Sequence, residues 1–166
     1  MLFRRKIYDK FLTWKKETGG KKALLVEGAR RIGKSTVVEE FAKNEYRSYI
    51  LIDFARATET VKEYFLEHLN DLDTFFMLLS VEYGVTLYPR ESIIVFDEVQ
   101  MFPKAREAIK YLVADGRYDY IETGSLISIK ENVKDIVIPS EERHIKMYPL
   151  DFEEFLQIFN VGEPVL

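Results

Sequence analysis

The sequence predicts an α/β domain, a parallel sheet covered by helices on both faces. Two observations carry this. Short apolar segments such as Ala23–Glu27 and Ser92–Asp97 show no polar alternation, as strands buried on both faces do. They are separated by longer segments with helical spacing, the pattern of βαβ crossovers.

The elements follow in chain order. Lys6 to Thr18 reads as a helix, with Ile7, Phe11, Leu12 and Trp14 near helical spacing and Gly19-Gly20 as its stop. Ala23–Glu27 is the first strand. A glycine-bounded loop leads into a helix from about Lys34 to Asn44, and Tyr49–Phe54 is a second buried strand. Ala57 to Tyr83 is helical, divided near Asn70-Asp71, and Gly84, Pro89 and Arg90 mark a connection. Ser92–Asp97 is the third strand, and Lys104 to Ala114 a helix ended by Asp115-Gly116. Tyr118–Glu122 is a fourth strand, Leu126 to Ile129 the start of a helix, and Ile145–Tyr148 a weaker fifth strand. Asp151 to Phe159 is helical, with Asp151 as cap and Glu154 three residues on.

The 166 residues fit one domain with a sizeable core. Apolar residues make up 47% and charged residues 31%, a globular rather than a disordered balance. With 24 basic and 28 acidic side chains the net charge is -4, so no global positive field draws the chain to nucleic acid or membrane. DNA as a partner therefore has no support from charge. The absence of cysteine excludes disulfides, thiolate metal sites and a cysteine nucleophile, and suits a reducing cytosol. The basic start Arg4-Arg5-Lys6 is not followed by an uninterrupted apolar stretch, and no run reaches membrane-spanning length. A cytoplasmic protein is expected.

Gly28-Ala29-Arg30-Arg31-Ile32-Gly33-Lys34-Ser35 satisfies G-x-x-x-x-G-K-[ST] in full. A random chain of this length would match about 1% of the time, and the strand before and helix after lower that further. Gly28 and Gly33 let the backbone adopt strained angles and approach phosphate closely. The loop N–H groups and the following helix N-terminus favour an anion. Lys34 brings a charge to the β and γ phosphates, and Ser35 a hydroxyl to magnesium, with Thr36 next to it among the nucleotide contacts. Arg30 and Arg31 read either as solvated loop residues or as contacts to the γ-phosphate or a neighbouring subunit.

Asp97 and Glu98 follow the third strand at its carboxyl end, where ligands of open α/β sheets bind. Beside the phosphate loop, Asp97 is expected to hold magnesium and Glu98 to polarise the attacking water. The bland alternative is a helix cap with a solvated neighbour. After the fourth strand, Thr123-Gly124-Ser125 offers two hydroxyls to sense the γ-phosphate or orient water. Ser125 is preferred, and a capping turn is the alternative. Gln100 reads as a relay to a partner or as a plain loop amide. His68 and His144 lack a second ligand at metal spacing. The 12 Phe and 10 Tyr are expected to fill core and interfaces rather than stack on bases.

Together these residues resemble a branch of the AAA+ ATPases that shares G-x-R-R-x-G-K-[ST], D-E-x-Q, T-G-S and P-L-x-F-x-E-F. Here the last three are Asp97-Glu98-Val99-Gln100, Thr123-Gly124-Ser125 and Pro149-Leu150-Asp151-Phe152-Glu153-Glu154-Phe155. The resemblance implies a three-layer P-loop NTPase fold with a five-stranded parallel sheet in the order 5-1-4-3-2. It implies ATP as substrate with Mg2+, and a base gripped by the N-terminal segment, for which Ile7, Tyr8 and Phe11 are candidates. It also implies a helical lid, a winged-helix-like region and a nuclease-like domain further on, so that the sequence is expected to be an N-terminal fragment. Ser140-Glu141-Glu142-Arg143 stands where many relatives have Gly-Arg, which makes Arg143 a candidate arginine finger for a neighbouring copy. The leading function is hydrolysis of ATP to ADP, coupled to motion of downstream domains, with a homo-oligomer as a candidate assembly. A nucleotide-gated recruiting switch and, more remotely, a small-molecule kinase are the alternatives.

Overall fold

The computed structural model describes residues 6–29, 32–125 and 140–149. Within them the order is α1 (Lys6–Thr18), β1 (Ala23–Gly28), α2 (Lys34–Glu45), β2 (Ser48–Asp53), α3 (Glu59–Glu67), α4 (Leu72–Tyr83) and β3 (Ser92–Asp97). A 3-10 turn at Val99–Met101 then leads to α5 (Pro103–Asp115), β4 (Asp119–Ser125) and β5 (Glu142–Met147). The expected helices at Leu126 and Asp151, loop residues Arg30 and Arg31, and most of the P-L-x-F-x-E-F segment lie outside the described residues.

The five strands form one parallel sheet in the order β2-β3-β4-β1-β5. Read from its other edge this is the expected 5-1-4-3-2. One face carries α1 and α2 over Leu24, Val26, Ile93, Val95 and Ile121. Phe41 of α2 is the hub there, with the rings of Tyr8, Phe11, Trp14 and Tyr46 around it. The opposite face carries α3, α4 and α5 over Leu25, Ile50, Ile52, Ile94 and Phe96. Phe54, Phe65, Phe75, Phe76 and Tyr118 fill that side, so the aromatic load sits largely in the two cores.

Local chemistry sets the helix ends. Thr58 caps α3 by accepting from the Val61 N–H, and Asp71 caps α4 by accepting from the Thr74 N–H. Pro103 occupies the first turn of α5, where its missing N–H costs nothing, and Gly116 closes that helix in a left-handed conformation.

Three expectations are corrected. β2 is not buried on both faces: Ile50 and Ile52 are buried while Tyr49, Leu51 and Asp53 are half-buried, because β2 is a sheet edge. Thr123-Gly124-Ser125 is not a turn but the last stretch of β4, paired with Val26, Glu27 and Gly28 of β1. β5 begins three residues early, at Glu142 rather than Ile145. The charged residues Glu142-Arg143-His144 open the strand, and the Glu142 carboxylate is buried against Arg106.

Candidate functional site

The carboxyl ends of β1, β3 and β4 meet where α2 begins, and the phosphate loop spans that point. Gly33 holds φ 88 at the N-cap of α2, a left-handed angle that favours glycine. Gly28 has no such angle, which corrects the expectation that both glycines serve strained backbone. It serves space: a Cβ there would lie 2.6 Å from the Met147 carbonyl oxygen and 2.9 Å from Ile32 Cδ1. Because a paired β5 carbonyl cannot swing aside, Gly28→Ala is expected to destabilise by about 1–3 kcal/mol and to weaken nucleotide binding. Urea unfolding and a nucleotide titration of the variant check both effects.

Lys34 is 4% exposed, and its Nζ donates to the carbonyls of Gly28 at 3.3 Å and Ala29 at 2.6 Å. The ammonium thus lies against the loop itself. One residue on, Ser35 Oγ donates to Asp97 Oδ1 at 2.7 Å, bringing together the two expected magnesium ligands. Both are hard oxygen donors at one spot, the chemistry that magnesium takes. Thr36 is exposed on the first turn of α2, and Ala29 is exposed on the loop.

The acidic pair is organised by Thr123. Its Oγ1 donates to Asp97 Oδ1 at 2.6 Å and accepts from the Glu98 N–H at 3.0 Å. A fully buried hydroxyl therefore uses both its donor and an acceptor site to join Asp97 to Glu98. Ser125, two residues on, lies at the end of β4 opposite Gly28, beside the start of the loop. Of the two hydroxyls, it is Thr123 that the structure sets against the acidic pair. Glu98 occupies a left-handed backbone, φ 57 and ψ 50, and Gln100 Nε2 donates to its Oε2 at 2.5 Å.

The N-terminal candidates sit elsewhere. Ile7, Tyr8 and Phe11 are buried in the core between α1 and α2. The Tyr8 hydroxyl donates to Glu45 Oε2 at 2.7 Å, at the far end of α2 from the phosphate loop. Eleven residues of helix separate Glu45 from Lys34, about 16 Å. Arg143 pairs with Glu17 at 3.0 Å and lies opposite Leu24, four residues of β1 or about 13 Å before Gly28.

One cluster had no signal in the sequence. Arg106 of α5 donates from Nε and Nη2 to both oxygens of Glu142, at 3.0 and 2.9 Å. His144 lies between Glu142 at 3.1 Å and Glu27 at 3.3 Å, the residue just before Gly28. Burial pushes the Glu142 carboxyl up, but its hydrogen bonds with His144 and Arg106, together with the Arg106 charge, outweigh this and bring it down to about 2. Burial, with the adjacent Glu142 charge, holds the Glu122 carboxyl well above its ordinary range. The hydrogen bond to Glu142 raises His144. Among the described residues no group of three or more acidic or histidine side chains is arranged to hold a metal ion.

Against known families, the model of an AAA domain matches residues 20–156, most of the sequence. The chain belongs to the AAA domain family. This AAA domain is accordingly of the nucleotide-binding ATPase class. Among solved structures, that of C. elegans PCH-2 is similar at 11% identity with a TM-score of 0.47, covering 98% of this chain and 49% of that one. The chain thus spans about half the length of that relative. A comparison with curated proteins found no match. Among the described residues no helix is long and apolar enough to cross a membrane.

Proposed function

We propose that this AAA domain binds ATP with magnesium and hydrolyses it to ADP and phosphate. The observation that supports this best is the Ser35–Asp97–Thr123 contact, with Glu98 hung from the same threonine. The loop N–H groups and Lys34 receive the triphosphate, Lys34 exchanging its loop carbonyls for phosphate oxygens. Ser35 and Asp97 would hold a magnesium ion, which would neutralise phosphate charge. Glu98 orients a water and takes its proton as the water oxygen attacks the γ-phosphorus. The bond from that phosphorus to the bridging oxygen breaks, and ADP carries the electron pair away. Thr123 fixes Asp97 and Glu98 relative to each other, while Ser125 stands nearer the loop as a candidate sensor of the γ-phosphate.

The motif set resembles that of proteins in which a lid and a nuclease-like domain follow, so coupling to such domains is part of the proposal. Release of phosphate from ATP tests the chemistry. Turnover should require magnesium and stop on chelation with EDTA. Tight retention of ATP with no phosphate release would instead support a nucleotide-gated switch.

A further inference from the structure

We propose that Gln100 is a positioning residue for Glu98, holding one carboxylate oxygen so that the other faces the reacting water. The inference rests on the hydrolytic reading above.

A glutamate side chain has three rotatable bonds, and ordering it costs conformational entropy. Glu98 cannot rely on its backbone for this, because the backbone is itself in a sparsely populated conformation, with φ 57. Its N–H donates to Thr123, and its carboxylate accepts from Gln100. The contact from Nε2 to Oε2, at 2.5 Å, is within hydrogen-bond distance. Gln100 is only 8% exposed, so solvent does not compete freely for this bond.

The short reach between the two residues has a rigid base. Val99, between them, is 1% exposed and belongs to the core against α5. The Met101 N–H donates to the Glu98 carbonyl at 3.0 Å and the Phe102 N–H to the Val99 carbonyl at 3.1 Å, closing the 3-10 turn. Phe102 stacks on Phe54 with ring centroids 5.7 Å apart. The turn is therefore held against α5 and Phe54, and the amide is carried on a fixed support.

The chemistry favours an amide. Lysine or arginine would pair with the carboxylate and reduce its basicity, while a second carboxylate would repel it. Glutamine donates a hydrogen bond without a charge, which holds the base and leaves it a base.

Steady-state phosphate release by the full chain with ATP and magnesium tests this, for the parent, Glu98→Gln, Gln100→Met and Gln100→Glu. Gln100→Met keeps the length but removes the donor, and is expected to lower kcat about 10-fold while KM stays within about twofold. In Gln100→Glu the introduced carboxyl can donate the missing bond only when protonated. Its rate relative to the parent should therefore rise as pH falls from about 9 to about 6, whereas the Gln100→Met ratio stays flat. A shift in melting temperature with ATP checks that each variant folds and binds. If Gln100→Met turns over like the parent, or the Gln100→Glu ratio does not vary with pH, the positioning role is overturned and the hydrolytic reading stands. If the parent itself is no faster than Glu98→Gln, the hydrolytic reading falls and the positioning role falls with it.

Discussion

Glu98→Gln is expected to lower phosphate release by about 100-fold or more while leaving ATP affinity within about twofold. The substitution preserves shape and removes the ability to accept a proton from water. The Ser35–Asp97 contact and the Lys34 ammonium do not involve the Glu98 side chain and are untouched. Equilibrium binding of a fluorescent ATP analogue, run beside the phosphate assay, separates the two quantities. Equal turnover in variant and parent would remove Glu98 from the chemistry. Parallel loss of binding would make it a structural residue instead.

The largest expected effect on stability lies away from the loop. Arg106→Met is expected to destabilise the fold by about 3–5 kcal/mol, because it leaves Glu142 buried without its bidentate partner. Urea unfolding at neutral pH measures this. Changing both partners, Arg106→Met with Glu142→Gln, should recover much of the loss, since no buried charge is then abandoned. The pH dependence has a definite sign. Glu142 is held below its ordinary 4.5, at about 2, so its contribution is fully present above pH 4.5 and fades as pH falls toward 2. His144 is raised, so its contribution is present below its ordinary 6.5 and is lost as pH rises through the folded value. Arg106→Met should flatten the acid slope in particular. Through Glu27 this network reaches the residue before Gly28, so stability and nucleotide binding at the loop should fall together.

The phosphate loop was legible because its chemistry is local: glycine, lysine and hydroxyl act at fixed spacing on a single strand-loop-helix. The acidic pair was legible for the same reason, being the end of one apolar strand. What escaped depends on register and on contacts between distant segments. Thr123 and Ser125 project to the same face of β4, since they are two residues apart. Only the pairing of Phe96 with Glu122 sets Thr123 level with Asp97 and leaves Ser125 beyond it. Similarly, Ile7, Tyr8 and Phe11 show helical spacing whether they grip a ligand or fill a core. Tyr8 and Phe11 pack on Phe41, from another helix, a contact that no local spacing announces. The start of β5 was hidden because a strand opening with Glu-Arg-His is unexpected until Arg106 arrives from α5. No local pattern announces a buried ion pair between residues 36 apart.

The gap at Gly28 shows the same limit. Its glycine is dictated by a carbonyl of β5, over a hundred residues away in sequence, rather than by its own backbone angle. Sequence supplied the residue but not the reason.

On the proposed function, this AAA domain takes a nucleoside triphosphate and magnesium at the Gly28–Ser35 loop. The melting temperature of the chain with and without ATP and magnesium tests it most directly, with Lys34→Met alongside and GTP and ADP as comparison ligands. At a ligand concentration about 100 times the dissociation constant, binding to the folded state adds about 2.7 kcal/mol. For a chain of this size that is a rise of several degrees. A rise in the parent with ATP and magnesium, absent in Lys34→Met, is the expected result. No rise in the parent, or an equal rise in both proteins, would contradict binding at the loop.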